Sequence, residues 1–220
     1  GVGESARPDD LYALTPELLV RANERVVAAV LAGLRDGSLL ADRPALPNLR
    51  SIGVGHSMGT LLTCLQQARF GTHAAIAALG FSTAGLPQYL VPQARSATPA
   101  SLSEDELVGL ARLQFGAAPS AMKRGEAPSD LFAGAKAEPR GMAALKSALA
   151  PMLPEPAMLA MMPGNIAQAC ASIGVPTFIG VGELDLTGSA HAIPAAFTRS
   201  HDVTLQILEQ AGHSHFLFAS

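Results

Sequence analysis

A chain of 220 residues, 49% hydrophobic and 15% charged, can bury one core and is too apolar for a disordered or collagen-like polymer. Fifteen Lys and Arg against eighteen Asp and Glu leave a net charge of −3 with no long basic run, so neither nucleic acid nor an anionic membrane finds a docking surface. Cys64 and Cys170 lie far apart and in no zinc-ligand spacing; both read as buried thiols, with no disulfide framework.

The uncharged stretches between Arg69 and Arg95 and over 156–182 are interrupted by Pro87, Pro92, Pro163, Gly164, Asn165 and Gln168, and no membrane span fits them. Gly1 stands where an initiator Met would, and no basic segment with an apolar stretch behind it precedes the first acidic residues. A processed chain or a fragment, in a cytoplasmic setting, is expected.

The first predicted element is a helix. Thr15 suits an N-cap, Pro16 suits the first helical position, and Leu19, Ala22, Val26, Val30 and Leu34 recur at helical spacing until Gly37. After a loop with Pro44 and Pro47, residues 50–55 form a short run in which Ile52 and Val54 are β-branched. Residues 60–69 predict a helix stopping at Gly71, and 74–80 another apolar strand. Alternating strand and helix predicts a parallel sheet covered on both faces.

From about Gly85 the alternation gives way to a Pro- and Met-rich helical stretch, with a capping box at Ser103 and Glu106 and helical runs at 140–149 and 165–173. This predicts an inserted helical lid over 85–165, between core segments 1–84 and 166–220. Residues 175–182 resume the strand pattern, 190–199 predict a helix and 203–208 a final strand, without internal repeats.

Gly55-His56-Ser57-Met58-Gly59 is a GxSxG pentapeptide, weak by itself and strengthened by its context. A strand enters and a helix leaves, as a sharp turn presenting the serine requires, and the glycines are expected to relieve the close approach of strand and helix. A serine hydroxyl needs a histidine to take its proton and an acid to orient that histidine. Asp185 lies just past the end of the 175–182 strand, with Glu183 as a rival acid. His213 follows the 203–208 strand after Glu209-Gln210-Ala211-Gly212 and is the preferred base; His215, two positions on, can point the same way. His56 reads as a packing or hydrogen-bonding residue, and His73, His191 and His201 as surface or core histidines, no pair having metal-ligand spacing. Met122, Met142, Met152, Met158, Met161 and Met162 fall in the lid, where thioethers line an apolar pocket or fill a helical core.

Through these motifs the chain resembles the α/β-hydrolase superfamily along almost its whole length, and within it the capped, esterase- or lipase-like serine hydrolases. Gly1-Val2-Gly3-Glu4-Ser5 is similar to the GxGxS loop after the fourth strand, residues 55–59 to the nucleophile elbow, 176–185 to the acid strand and turn, and 211–213 to the histidine loop. The insertion falls where that family carries its cap. The resemblance implies a mostly parallel α/β sheet flanked by helices, with an inserted helical cap, and it favours Asp185 over Glu183. It also implies cleavage of a carboxylic ester or related acyl compound by Ser57, His213 and Asp185, with the Met58 N–H in the oxyanion hole and no metal or organic cofactor. A small apolar acyl substrate is expected from the Met and Leu of the lid. The alternatives are an acyltransferase or thioesterase on the same residues, or a non-catalytic binding protein of the same fold; dehalogenases and epoxide hydrolases, which use Asp as nucleophile, are disfavoured. The resemblance further implies that the earlier strands, the loop giving a second oxyanion donor and the terminal helix lie outside this chain. A missing N-terminal segment, a cleaved chain or a partner subunit is expected to complete the fold.

Overall fold

The computed structural model describes residues 4–116, 137–148 and 150–217. Its first long element, α1 (Pro16–Asp36), begins where Thr15 Oγ1 accepts the Leu18 N–H at 3.2 Å and ends at Gly37 in the left-handed region. The predicted apolar stripe is not its buried face: Val20 is buried, whereas Val26 and Val30 are 60% and 39% exposed. The reason is that α1 docks mainly on α2 (Met58–Phe70), and partly through polar groups, Asn23 donating to Gln66 Oε1 and Gln66 to Glu24 Oε2. A helix with apolar residues on more than one side does not announce which side a neighbour will take.

Strands β1 (Ile52–His56), β2 (Ala75–Leu79), β3 (Thr177–Gly182) and β4 (Val203–Leu208) pair in that order, all parallel. Their C-terminal ends therefore share one edge, from which Ser57 and the loops of Asp185 and His213 depart. Helix α2 carries β1 to β2. Between β3 and β4 the predicted helix is instead a 3₁₀ segment, Ala190–Ala196, with Pro194, which has no N–H to donate, inside it.

Between β2 and β3 lie α3 (Pro92–Arg95), α4 (Glu104–Phe115), α5 (Pro139–Ser147) and α6 (Pro154–Met161), before α7 (Ala167–Ser172) leads back to the sheet. The two ends of this insertion are stitched to each other. Leu86 N–H donates to Met161 O at 2.7 Å, Gly164 N–H to Thr83 O at 2.8 Å, and the Asn165 side chain to Ser82 O at 3.1 Å. The Ser103 capping box forms with both of its hydrogen bonds. Tyr12, Leu90, Ala94 and Ala111 enclose Met158 and Met162, so these two methionines fill a small core of their own. Met122 of the predicted lid, Leu149 of the predicted helix and the first three residues of the predicted loop lie outside the described residues.

The main core sits between the sheet and its helices, around Leu61, Cys64, Ile76, Cys170, Ile179 and Val181. Cys64 and Cys170 are free, buried thiols; their mutual hydrogen bond, together with burial, pushes the Cys64 thiol well up. Coverage of both faces is not found among the described residues. Val54, Ala77 and Phe178 share a register and a face, and on it Ile52 and Val54 are 66% and 65% exposed and Phe178 41%.

Candidate active site

At the end of β1 the chain turns into α2 through Ser57, a non-glycine residue at φ 56°, ψ −123°. Such a conformation persists only where its surroundings impose it. Ser57 N–H donates to Leu79 O at 2.8 Å, and its carbonyl accepts from Thr60 N–H at 2.9 Å and Leu61 N–H at 3.3 Å. The fully buried Thr60 hydroxyl lies 2.6 Å from Gly55 O and 2.9 Å from Leu79 O, and accepts the Leu79 N–H at 3.0 Å. Thr60 thus ties β1, β2 and α2 together beneath the serine, a role the sequence reading missed; the only signal is a hydroxyl in the first turn of the exit helix.

The two glycines of the pentapeptide are not equivalent. A Cβ on Gly55 would stand 2.5 Å from Gly59 O and 2.6 Å from Thr60 Cα, both backbone atoms, whereas a Cβ on Gly59 would meet nothing within 4 Å. Of these two, only Gly55 relieves the strand–helix approach, which corrects the expectation for the pair.

The loops that carry Asp185 and His213 interlock in the same way. A Cβ on Gly182 would come within 2.2 Å of Ala211 O, and Leu184 N–H donates to that carbonyl at 2.8 Å. This brings Asp185 Oδ1 to 2.7 Å from His213 Nδ1, and His213 Nε2 to 2.9 Å from Ser57 Oγ. A carboxylate only accepts, so Nδ1 carries the imidazole proton and the bare Nε2 accepts the serine hydroxyl. The side chains of Asp185 and His213 are 1% and 11% exposed. Burial pushes the Asp185 carboxyl up, but the hydrogen bond and charge of His213, with His215 and the Leu186 N–H, together outweigh it, and the group lies below its ordinary value.

The rivals go elsewhere. The Glu183 carboxylate accepts the Gln210 N–H at 2.8 Å and so braces the histidine loop. His215 Nδ1 stands 3.8 Å from Asp185 Oδ2, beyond hydrogen-bond length, and flanks that carboxylate; burial lowers its pKa against the pull of Asp185. Met58 opens α2, where the first amides have no acceptor one turn earlier and point toward the serine's end of the helix.

A profile of the alpha/beta hydrolase family matches residues 1–219. The chain belongs to the alpha/beta hydrolase family. Among solved structures it is similar to an esterase from Exiguobacterium antarcticum, at 16% identity over 99% of this chain and 73% of that one, with a TM-score of 0.56. It is also similar to the thioesterase domain from the curacin biosynthetic pathway, at 14% identity over 98% and 73%, TM-score 0.53. A third is the proline iminopeptidase-related protein from Thermus thermophilus, at 18% identity over 98% and 70%, TM-score 0.56. At these identities the likeness is one of fold. No curated protein matches the sequence.

Elsewhere in this alpha/beta hydrolase His73 is a core residue, its Nδ1 2.9 Å from Ser51 Oγ, while His191 and His201 are exposed. Among the described residues no group of His, Cys, Asp and Glu could hold a metal ion, and no helix is long and apolar enough to cross a membrane. The insertion reaches the histidine loop: Glu138 N–H donates to Leu217 O at 2.8 Å.

Proposed function

We propose that this alpha/beta hydrolase is a serine hydrolase that cleaves a carboxylic ester through an acyl-enzyme. The observation that carries the reading is the unbroken line of hydrogen bonds from Asp185 through His213 to Ser57, 2.7 and 2.9 Å long, on a strained turn. Ser57 Oγ attacks the acyl carbonyl as His213 Nε2 takes its proton, and the oxyanion that forms is met by the Met58 N–H. The C–O bond to the leaving group then breaks, and His213 returns the proton to the departing alkoxide. Water, deprotonated by His213, hydrolyses the acyl-enzyme by the reverse sequence. Asp185 holds the imidazole in the required tautomer and stabilises the imidazolium. The steps call on side chains, backbone amides and water.

The helical insertion, whose Glu138 N–H bonds Leu217 O just past His213, supports a lid beside the serine. Intact-mass labelling with a fluorophosphonate tests the reading. One adduct is expected, absent in Ser57→Ala; no adduct, or one that persists in the variant, overturns it. A panel of p-nitrophenyl esters beside acyl thioesters fixes the leaving group, with the oxygen esters expected to turn over faster.

A further inference from the structure

His56 immediately precedes the nucleophile and takes no part in the steps above. Its ring reaches across the top of the sheet to the histidine loop, 157 residues away, where Nε2 stands 2.7 Å from the main-chain oxygen of His213. A carbonyl oxygen only accepts, so Nε2 carries the proton and is committed to that bond. The ring also packs against those of His213, His215 and Phe216, at centroid distances of 4.7, 5.5 and 4.8 Å.

A second feature bears on the same contact. Gly80 directly follows β2 at φ 57°, and a Cβ there would stand 2.9 Å from His56 Nε2 and 3.3 Å from His213 Cε1. A glycine is thus placed where any other residue would push the two rings out of line.

We propose that His56 is a positioning residue: by holding the His213 carbonyl it fixes the gap between His213 Nε2 and Ser57 Oγ from the residue next to the nucleophile. This rests on the serine-hydrolase reading and deepens it. The nucleophile and its base lie 156 residues apart in the chain, and an error of about 1 Å in their approach costs on the order of 10²-fold in rate. Burial, with repulsion from His213, brings His56 down to about 4. At neutral pH it therefore donates as an uncharged ring and sets no second positive charge beside His213 when that residue takes up the serine proton.

The test compares the protein with His56→Leu and His56→Gln in steady-state hydrolysis of a p-nitrophenyl ester, alongside ¹⁵N NMR of the histidines of the unmodified protein. His56→Leu is expected to lower kcat at least fivefold with KM within twofold. His56→Gln, whose amide nitrogen reaches the same carbonyl, should recover at least half of that loss on a logarithmic scale, and the NMR should show His56 protonated at Nε2. A smaller loss in Leu, a Gln variant as slow as Leu, or a His56 proton on Nδ1 overturns the proposal. If His56→Leu fails to melt cooperatively, Gln decides: kcat within fivefold of the unmodified protein supports the proposal and a lower value overturns it. An unmodified protein that neither hydrolyses esters nor takes up fluorophosphonate overturns the serine-hydrolase reading instead, and the NMR then judges the His56–His213 bond alone.

Discussion

Substituting alanine at Gly55 and at Gly59 makes the same chemical change twice within one turn of the chain, with opposite expected results. At Gly55 the new methyl would lie 2.5 Å from Gly59 O, about 0.9 Å inside the 3.4 Å at which ordinary contact begins. The obstructing atoms are backbone, so no side chain can rotate away, and β1 and α2 must separate by most of that distance. Forced overpacking of this kind costs ~3 kcal/mol, the upper end of its usual range. Ser57 sits between the two elements, and a displacement approaching 1 Å lowers kcat by about 10²-fold. At Gly59 the methyl meets nothing within 4 Å, and alanine is the better helix former by ~1 kcal/mol. Gly59→Ala should therefore keep the serine's labelling rate and gain up to ~1 kcal/mol in stability. Urea unfolding and the rate of fluorophosphonate labelling measure both quantities on both variants. A Gly55→Ala variant that labels within threefold of the unmodified protein, or a Gly59→Ala variant as damaged as its neighbour, would refute the steric reasoning.

Asp185→Asn should lower kcat by about 10³- to 10⁴-fold with little change in KM, because an amide N–H facing Nδ1 drives the imidazole proton to Nε2, which then cannot accept from Ser57; a loss under tenfold in steady-state kinetics speaks against the assigned tautomer. Ser57→Gly should abolish hydrolysis and raise the unfolding free energy by ~1 kcal/mol, since glycine adopts the positive φ without strain; a destabilised variant in urea titration removes the argument. Glu155 is buried with Oε2 lacking a partner, and burial, with the nearby Glu104, raises its pKa from 4.5 to about 7. The native state therefore holds this proton more tightly than the unfolded chain, and the stability tied to it is present below about 4.5 and lost as pH rises toward 7. Glu155→Gln should accordingly stabilise by ~1–2 kcal/mol at pH 8 and change little at pH 4.5; equal effects at the two pH values in urea unfolding contradict the assignment.

Several features were legible in the sequence because they are local. The strand–GxSxG–helix order fixes a turn within a few residues, the Thr15 cap and the Ser103–Glu106 box satisfy amides one turn away, and the four strands fall within two residues of their expected bounds. The same holds for the interruption of the sheet between β2 and β3, where period and composition change together.

Other features were decided only by chain segments meeting across the fold. Asp185 and Glu183, like His213 and His215, are two residues apart, so periodicity cannot rank them. Which one reaches its counterpart depends on the path of a loop braced by Gly182, Ala211 and Gln210. The exposed side of α1 follows from its docking on α2, and the unequal demands on Gly55 and Gly59 from where the exit helix lies against β1. Thr60 and His56 gain their roles only once β2 and the histidine loop come within hydrogen-bond range, because a hydroxyl or an imidazole in a sequence names a donor and not its acceptor. Local order encodes backbone conformation; the partners of a buried polar atom are a property of the packed chain.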